Sequence, residues 1–180
     1  MARAALALAL TALSGLTGSV LAAPGRVAPN AGSHCRNGEA VVYSCRFGAK
    51  TGSVCLGANS IHYRFGPLGR PEIDLASAPD WSNVHTLELY SQSLAQKHVR
   101  MNRGPISYVV YFGEAGRLSD VPGRRISGIT VMRGTDRILG ELACPGAGRF
   151  SPDAYARIGD AAPAGWEGGE AAGGAFDGYF

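Results

Sequence analysis

Two carboxylates, Glu72 and Asp74, stand two residues apart in the segment RPEIDLASAPDW. On an extended segment their side chains point the same way, and a pair of carboxylates can perform general acid and base catalysis. A serine nucleophile motif of the Gly-x-Ser-x-Gly kind is not found beside them. His62 and His98 fall on polar strand faces, which favours exposure to solvent over catalysis. We therefore interpret the two carboxylates as exposed loop charge, and keep an envelope hydrolase that uses them as an alternative.

A glycine motif, Phe-Gly-x-x-Gly-Arg, occurs in YRFGPLGR (63–70) and in VYFGEAGR (110–117), and CRFGAKTG (45–52) is a looser copy. Glycine-rich loops hold phosphates when a helix follows them, and here strand-like runs follow instead. The motif therefore predicts tight turns in which glycine takes a positive φ. The arginines that follow two of the turns, Arg70 and Arg117, are candidate contacts for an anion or an acidic partner.

Four cysteines, Cys35, Cys45, Cys55 and Cys144, make an even number, which in an exported chain predicts two disulfides. Cys45 and Cys55 lie at equal distances from the centre of the turn GAKTG. This symmetry favours Cys45–Cys55 with Cys35–Cys144, and the competing pattern is Cys45–Cys144 with Cys35–Cys55. The ten-residue spacing of the first three does not resemble a zinc site, so no metal ligand or cofactor is expected.

An export signal is predicted at residues 1–22. Arg3 precedes the apolar run AALALALTALSGLTGSVL, and small residues in VLAAP predict cleavage after Ala22. A membrane anchor is the alternative, but glycine and polar residues interrupt the run. The mature chain is expected to be periplasmic or secreted, with no membrane span after cleavage.

The mature chain divides by composition and charge. A linker is predicted at 23–34, one antiparallel β domain at 35–149, and a short helix with a low-complexity acidic tail at 150–180. The β domain carries 14 Lys and Arg against 9 Asp and Glu, a net charge of +5, and the last segment carries −4. The positive charge is spread rather than gathered in a stripe, so nucleic acid is not an expected partner.

Eight runs with strand-like patterns fill the β domain and are separated by glycine-rich turns. They are AVVYSCRF, GSVCLG, SIHYRF, VHTLELYS, KHVRMN, ISYVVYFG, ISGITVMR and RILGELAC. Because no crossover helices separate them, they predict an all-β fold of about eight antiparallel strands in a small barrel or a sandwich. A short helix is predicted in SPDAYARI, where Ser151 can cap and Pro152 can take the first helical position.

Five short motifs, VVYSC, SVC, YRFGPLGRPE, RGPISYVVY and ELAC, give the chain a resemblance to a group of uncharacterised exported bacterial proteins. That resemblance implies export and a β fold. In addition, YSCRFG is similar to the Tyr-x-Cys-x-x-Gly start of periplasmic inhibitors of C-type lysozyme, which are eight-stranded antiparallel barrels. Cys45 and Cys144 would be the matching cysteines. The nearest segment to the Ser-Gly-x-x-Tyr loop of those inhibitors is SYVVY, which has no glycine.

The sequence thus favours a non-enzymatic exported β domain that binds a protein, a glycan or an anionic surface at the cell envelope. The alternatives are a lysozyme-inhibitor-like protein and an envelope hydrolase.

Overall fold

The computed structural model describes residues 30–134 and 137–168. The predicted signal peptide at 1–22, the linker up to residue 29 and the tail from residue 169 onward lie outside the described residues.

Ten strands, two short α-helices and one 3-10 helix, Pro145–Ala147 between β9 and β10, follow one another along the described chain. They are β1 (Ala40–Phe47), β2 (Lys50–Leu56), β3 (Ile61–Pro67), β4 (Ile73–Ala76), β5 (Val84–Tyr90), β6 (Leu94–Arg103), β7 (Ile106–Ala115), β8 (Arg125–Arg133), β9 (Arg137–Ala143), β10 (Arg149–Phe150), α1 (Pro152–Ala156) and α2 (Ile158–Ala161). All eight predicted strands are confirmed, and β4 and β10 are additional. Among the described residues, no helix has the length and apolar character needed to cross a membrane.

The strands form two antiparallel sheets of five strands each. The first sheet has the order β10-β1-β2-β3-β4, and the second has the order β5-β6-β7-β8-β9. Each sheet is open, with β10 and β4 at the edges of the first and β5 and β9 at the edges of the second. Of the two predicted architectures, the structure is therefore a sandwich.

The main core lies between the two sheets and is held by aromatic pairs. Tyr63 of β3 stacks on Tyr108 of β7 with ring centroids 5.0 Å apart. Phe150 of β10 stacks on Phe112 of β7 at 4.4 Å. Such pairs contribute about 0.5–1.5 kcal/mol beyond the area they bury, so they help to fix how one sheet sits on the other.

The C-terminal helices extend this core beyond the predicted boundary at residue 149. As predicted, Ser151 caps α1: its Oγ accepts a hydrogen bond of 3.2 Å from the backbone N–H of Ala154. Tyr155 and Ile158 are buried in the main core, and Trp166 packs edge-on against Trp81 at 5.6 Å.

The disulfides are Cys35–Cys55 and Cys45–Cys144, so the favoured pairing was wrong and the competing one is observed. The reason is the register of the first hairpin. Phe47 pairs with Lys50, which places the turn one to two residues before the centre of GAKTG. Cys45 therefore faces Gly52, three residues from Cys55.

The Phe-Gly-x-x-Gly-Arg motif marks turns, but the phenylalanine does not always end its strand. β1 does end at Phe47, and Gly48 has a φ of 61°. Gly66 lies inside β3, where a Cβ would stand 2.5 Å from the backbone nitrogen of Glu72. In the third copy, β7 continues past Phe112 to Ala115.

Candidate functional site

A cleft of about 550 Å³ opens beside the Cys45–Cys144 bridge, at the β10 edge of the first sheet. Three stretches of chain line it: the segment before β1, the end of β1, and the turn between β9 and β10. We call it the basic cleft. Its lining residues are Ala31, Gly32, Ser44, Cys45, Arg46, Gly48, Pro145, Gly148 and Arg149.

Strand register brings the two arginines of the basic cleft together. Arg149 pairs with Ser44 across β10 and β1, and Arg46 lies two residues further along β1. Diagonal neighbours of this kind are about 7–8 Å apart, within reach of long side chains on the same face. Both arginines are exposed, and the Arg46 Nε donates a hydrogen bond of 2.8 Å to the carbonyl oxygen of Gly48.

The electrostatics of the basic cleft favour an anion. Two of its lining residues, Arg46 and Arg149, carry a positive charge, and none of the lining residues is acidic. Guanidinium groups present several N–H donors in a planar fork that matches a carboxylate or a phosphate. Because the cleft is open, water screens the attraction, and binding there must depend on ionic strength.

One wall of the basic cleft is held close by Gly148. This residue has a φ of 61°, and a Cβ on it would stand 2.8 Å from the Ser44 carbonyl oxygen and 2.9 Å from the Cys144 Sγ. Ala147 before it also has a positive φ, 65°, which is uncommon for a residue other than glycine. The Ala147 carbonyl accepts a 2.7 Å hydrogen bond from the Ser127 Oγ, which fixes this unusual turn on β8.

The opposite wall is the segment that precedes β1, pinned onto the outer face of the first sheet. The Ser44 Oγ donates to the carbonyl oxygen of Gly32 at 3.0 Å, and the backbone N–H of His34 donates to the Ser53 Oγ at 3.1 Å. The Cys35–Cys55 bridge closes the same segment onto β2. Both disulfides therefore position walls of one cleft.

A second cleft, of about 690 Å³, shares Gly148 and Arg149 with the first. Its other lining residues include the stacked Phe112 and Phe150 and an ion pair in which the Arg125 Nε lies 2.9 Å from the Glu114 Oε2. An extended ligand could therefore contact both clefts across the turn that carries Arg149.

The predicted contacts Arg70 and Arg117 are both exposed but belong to different sheets. Arg70 follows β3 in the first sheet, and Arg117 follows β7 in the second. Within residues 30–134 and 137–168, no hydrogen bond or ion pair joins their loops. That either contacts a partner stays a prediction.

The predicted carboxylates Glu72 and Asp74 do not converge on a common cleft. Glu72 pairs with Lys50 at 2.6 Å. Asp74 lies 2.9 Å from the His62 Nδ1 and 3.0 Å from the Nε of Arg64, whose side chain is 1% exposed. Burial alone would raise the pKa of Asp74, but these hydrogen bonds outweigh it and lower that pKa.

The buried Arg64 is the centre of this ion network. Its guanidinium nitrogens also contact both carboxylate oxygens of Glu39, at 2.5 and 2.9 Å. Burial of Glu39 acts to raise its pKa, yet the hydrogen bond from Arg64 prevails and lowers it. The network ties the segment before β1 to β3 and β4, so its charges are used in structure rather than presented to a substrate.

His98 was expected to be exposed, but it is only 3% exposed in β6. Burial lowers its pKa to about 4, so the imidazole is neutral near pH 7. The near approach of Cys35, Glu39 and Cys55 offers no metal site, since both sulfurs are in the disulfide.

The segment SYVVY, which stands nearest to the lysozyme-binding loop, lies in the middle of β7 rather than in a loop. Ser107 is buried, and Tyr108 is stacked on Tyr63 inside the core. The segment is therefore not placed to enter another enzyme's cleft.

Arg46 and Arg149 were not singled out from the sequence. Each lies close to a cysteine, Arg46 directly after Cys45 and Arg149 five residues after Cys144. The observed bridge between these cysteines joins the two stretches that carry the arginines, so only the correct disulfide pairing could have pointed to them from the sequence. No protein-family model, curated protein or solved structure matches the chain.

Proposed function

We propose that this protein is an exported, non-enzymatic β domain that binds an anionic group of a protein, glycan or surface at the cell envelope. The observation that carries the proposal is that the pairing of β1 with β10 brings Arg46 and Arg149 into one cleft. The proposed ligand therefore presents a carboxylate or a phosphate to the two guanidinium groups.

Export is supported by two features of the chain. The apolar run at its start has the pattern of a cleavable signal. The two disulfides use all four cysteines, and disulfides persist in oxidising compartments such as the periplasm and the extracellular space.

The contacts of the candidate catalytic side chains favour a binding role over hydrolysis. Asp74 and His62 are engaged with each other and with Arg64, and Glu72 is engaged with Lys50. Neither carboxylate lines the basic cleft. An acid and a base that act together must both reach the reacting group, and this arrangement does not provide that geometry.

The test is a nuclear magnetic resonance titration of the mature chain with two probes, a hexuronate oligosaccharide for carboxylates and inorganic phosphate. We expect chemical-shift changes at Arg46, Gly148 and Arg149. Arg46→Ala and Arg149→Ala should each weaken binding by about 10- to 100-fold, since one charge-assisted contact contributes about 1.5–3 kcal/mol. Raising the salt concentration should weaken binding further.

Arg70→Ala and Arg117→Ala are the matched controls, because they remove the same charge from exposed loops outside the basic cleft. Affinity unchanged by the cleft substitutions but reduced by the loop substitutions would move the site to the loops. Failure of both probes to shift any cleft resonance at low ionic strength would refute the proposal. A lysozyme turbidity assay on the same sample tests the inhibitor alternative.

A further inference from the structure

The chain has one asparagine that is directly followed by a glycine, and it lies in the segment before β1. Asn37 and Gly38 are both exposed. The backbone N–H of Glu39 donates a 3.1 Å hydrogen bond to the carbonyl oxygen of Arg36, so Asn37 and Gly38 are the central residues of a β-turn. Gly38 has a φ of 86°, which glycine adopts without strain.

The peptide group between Asn37 and Gly38 is free to rotate. Within residues 30–134 and 137–168, no hydrogen bond engages the Asn37 side chain, the Asn37 carbonyl oxygen or the Gly38 N–H. A Cβ on Gly38 would have no atom within 4 Å, so the space beside it is open. Rotation of this peptide group therefore breaks no hydrogen bond, and it can bring the Gly38 nitrogen to the Asn37 side-chain amide.

We propose that Asn37 is a site of spontaneous deamidation, which converts a neutral side chain into a carboxylate as the protein ages. The deprotonated backbone nitrogen of Gly38 attacks the Asn37 Cγ, so that an N–Cγ bond forms and the Cγ–Nδ2 bond breaks. The leaving group takes up a proton and departs as ammonia. Water then opens the cyclic imide at one of its two carbonyl carbons, which gives either aspartate or isoaspartate at this position.

The other asparagines do not meet all of these conditions. Three of them have side chains that form hydrogen bonds: Asn30, Asn83 and Asn102. Asn59 is exposed, but Ser60 follows it, and the Cβ of serine hinders the approach of the backbone nitrogen. Asn59 is therefore the matched internal reference for Asn37.

The new carboxylate changes the charge of a third cleft. Asn37 lines this cleft of about 430 Å³, which shares Arg149 with the basic cleft. Its charged lining residues are two acids and two arginines: Glu39, Asp153, Arg149 and Arg157. Their formal charges sum to zero, and deamidation of Asn37 changes the sum to −1. The third cleft is therefore more acidic in older molecules.

The isoaspartate product also changes the main chain. Its link to Gly38 runs through the Cβ and Cγ of residue 37, which adds one carbon to the chain between Arg36 and Glu39. The Arg36 N–H donates to the Glu39 Oε2 at 2.7 Å, and the buried Arg64 donates to the Glu39 Oε1 at 2.9 Å. A longer turn must therefore disturb the contacts that hold Glu39 against Arg64.

The test incubates the mature, disulfide-bonded chain at mildly alkaline pH and follows Asn37 and Asn59 by peptide mass spectrometry. Asn37 should lose its amide at least about tenfold faster than Asn59, because glycine places no Cβ beside the attacking nitrogen. Both aspartate and isoaspartate peptides should form from Asn37. Gly38→Ala should slow the Asn37 rate at least about tenfold and leave the Asn59 rate unchanged.

The same rate in the reduced, guanidinium-unfolded chain shows whether the folded turn leaves Asn37 free to react. The folded and unfolded rates should agree within about tenfold, since a larger slowing means that the fold holds this peptide group by more than about 1.4 kcal/mol. Slowing beyond that limit would overturn the proposal, and so would an Asn37 rate no faster than that of Asn59. Aspartate as the sole product would also overturn it, because direct hydrolysis of the side-chain amide gives no isoaspartate. If Gly38→Ala unfolds, the folded and unfolded rates of the unaltered chain decide alone.

Discussion

Removal of each disulfide separately should destabilise the domain by different amounts. The Cys45–Cys144 bridge closes a loop with a sequence separation of 99, and Cys35–Cys55 one of 20. In the chain-entropy model these loops correspond to about 4.7 and about 3.3 kcal/mol at 25 °C. We therefore expect Cys45→Ala/Cys144→Ala to lose about 1.4 kcal/mol more unfolding free energy than Cys35→Ala/Cys55→Ala.

The packing of the cysteines opposes the predicted order, because it favours a larger loss of stability when the short bridge is removed. Cys55 is fully buried and Cys35 is 8% exposed, while Cys144 is only partly buried, so the short bridge leaves the larger void when it is removed. Loop entropy must exceed that difference for the predicted order to appear.

The assay is urea unfolding followed by tryptophan fluorescence, since Trp81 is 1% exposed and packs on Trp166. Mass mapping without reduction must show that the remaining bridge is intact in each variant. A larger loss for the Cys35–Cys55 variant would show that native-state packing, rather than loop length, sets the contribution of these bridges. If only one variant loses cooperative unfolding, the bridge removed in that variant is required for the fold.

Three further changes test the walls, the ion network and the buried imidazole. Gly148→Ala should lower the free energy of unfolding by about 2–4 kcal/mol, because its Cβ would lie less than 3.0 Å from a carbonyl oxygen and a sulfur. In the same urea assay the control Gly146→Ala, whose Cβ would have no atom within 4 Å, should lower it by about 1 kcal/mol. Arg64→Met should cost about 2–4 kcal/mol by leaving its carboxylate partners unpaired, whereas Arg36→Met, with a side chain 65% exposed, should stay within about 1 kcal/mol. In the folded state the pKa of His98 is lowered to about 4 from an ordinary 6.5, so the unfolded chain takes up the proton first and the free energy of unfolding falls as the pH drops from about 6.5 to about 4. In a pH series of melting curves, His98→Gln should make this fall less steep. An unchanged slope would contradict the prediction.

Strand positions could be predicted because alternation and glycine-rich turns are local signals. The eight predicted runs all became strands, including the central β7. β4 was missed because IDLA is only four residues long and half-exposed. The C-terminal helix was predicted from its cap, Ser151 with Pro152, which is also a local signal.

Contacts that depend on register could not be predicted in the same way. Moving the first turn toward Gly48 was enough to separate Cys45 from Cys55 and to change both disulfides. Alternation within β6 predicts which residues share a face with His98, but it does not predict whether that face is buried. The basic cleft could be predicted only by knowing both the strand register and the disulfide pairing, because together they place Arg46 and Arg149 in one cleft.

The interleaved disulfides have a consequence for biogenesis. On the export route proposed above, the chain emerges N-terminus first, so Cys35 and Cys45 appear before Cys55, and Cys144 appears much later. An oxidase that joins cysteines as they appear would link Cys35 to Cys45, which the folded domain does not contain. Reaching the native pattern then requires thiol–disulfide exchange through a mixed intermediate. The yield of this protein should therefore depend on a disulfide isomerase in the compartment that receives it, and not only on an oxidase.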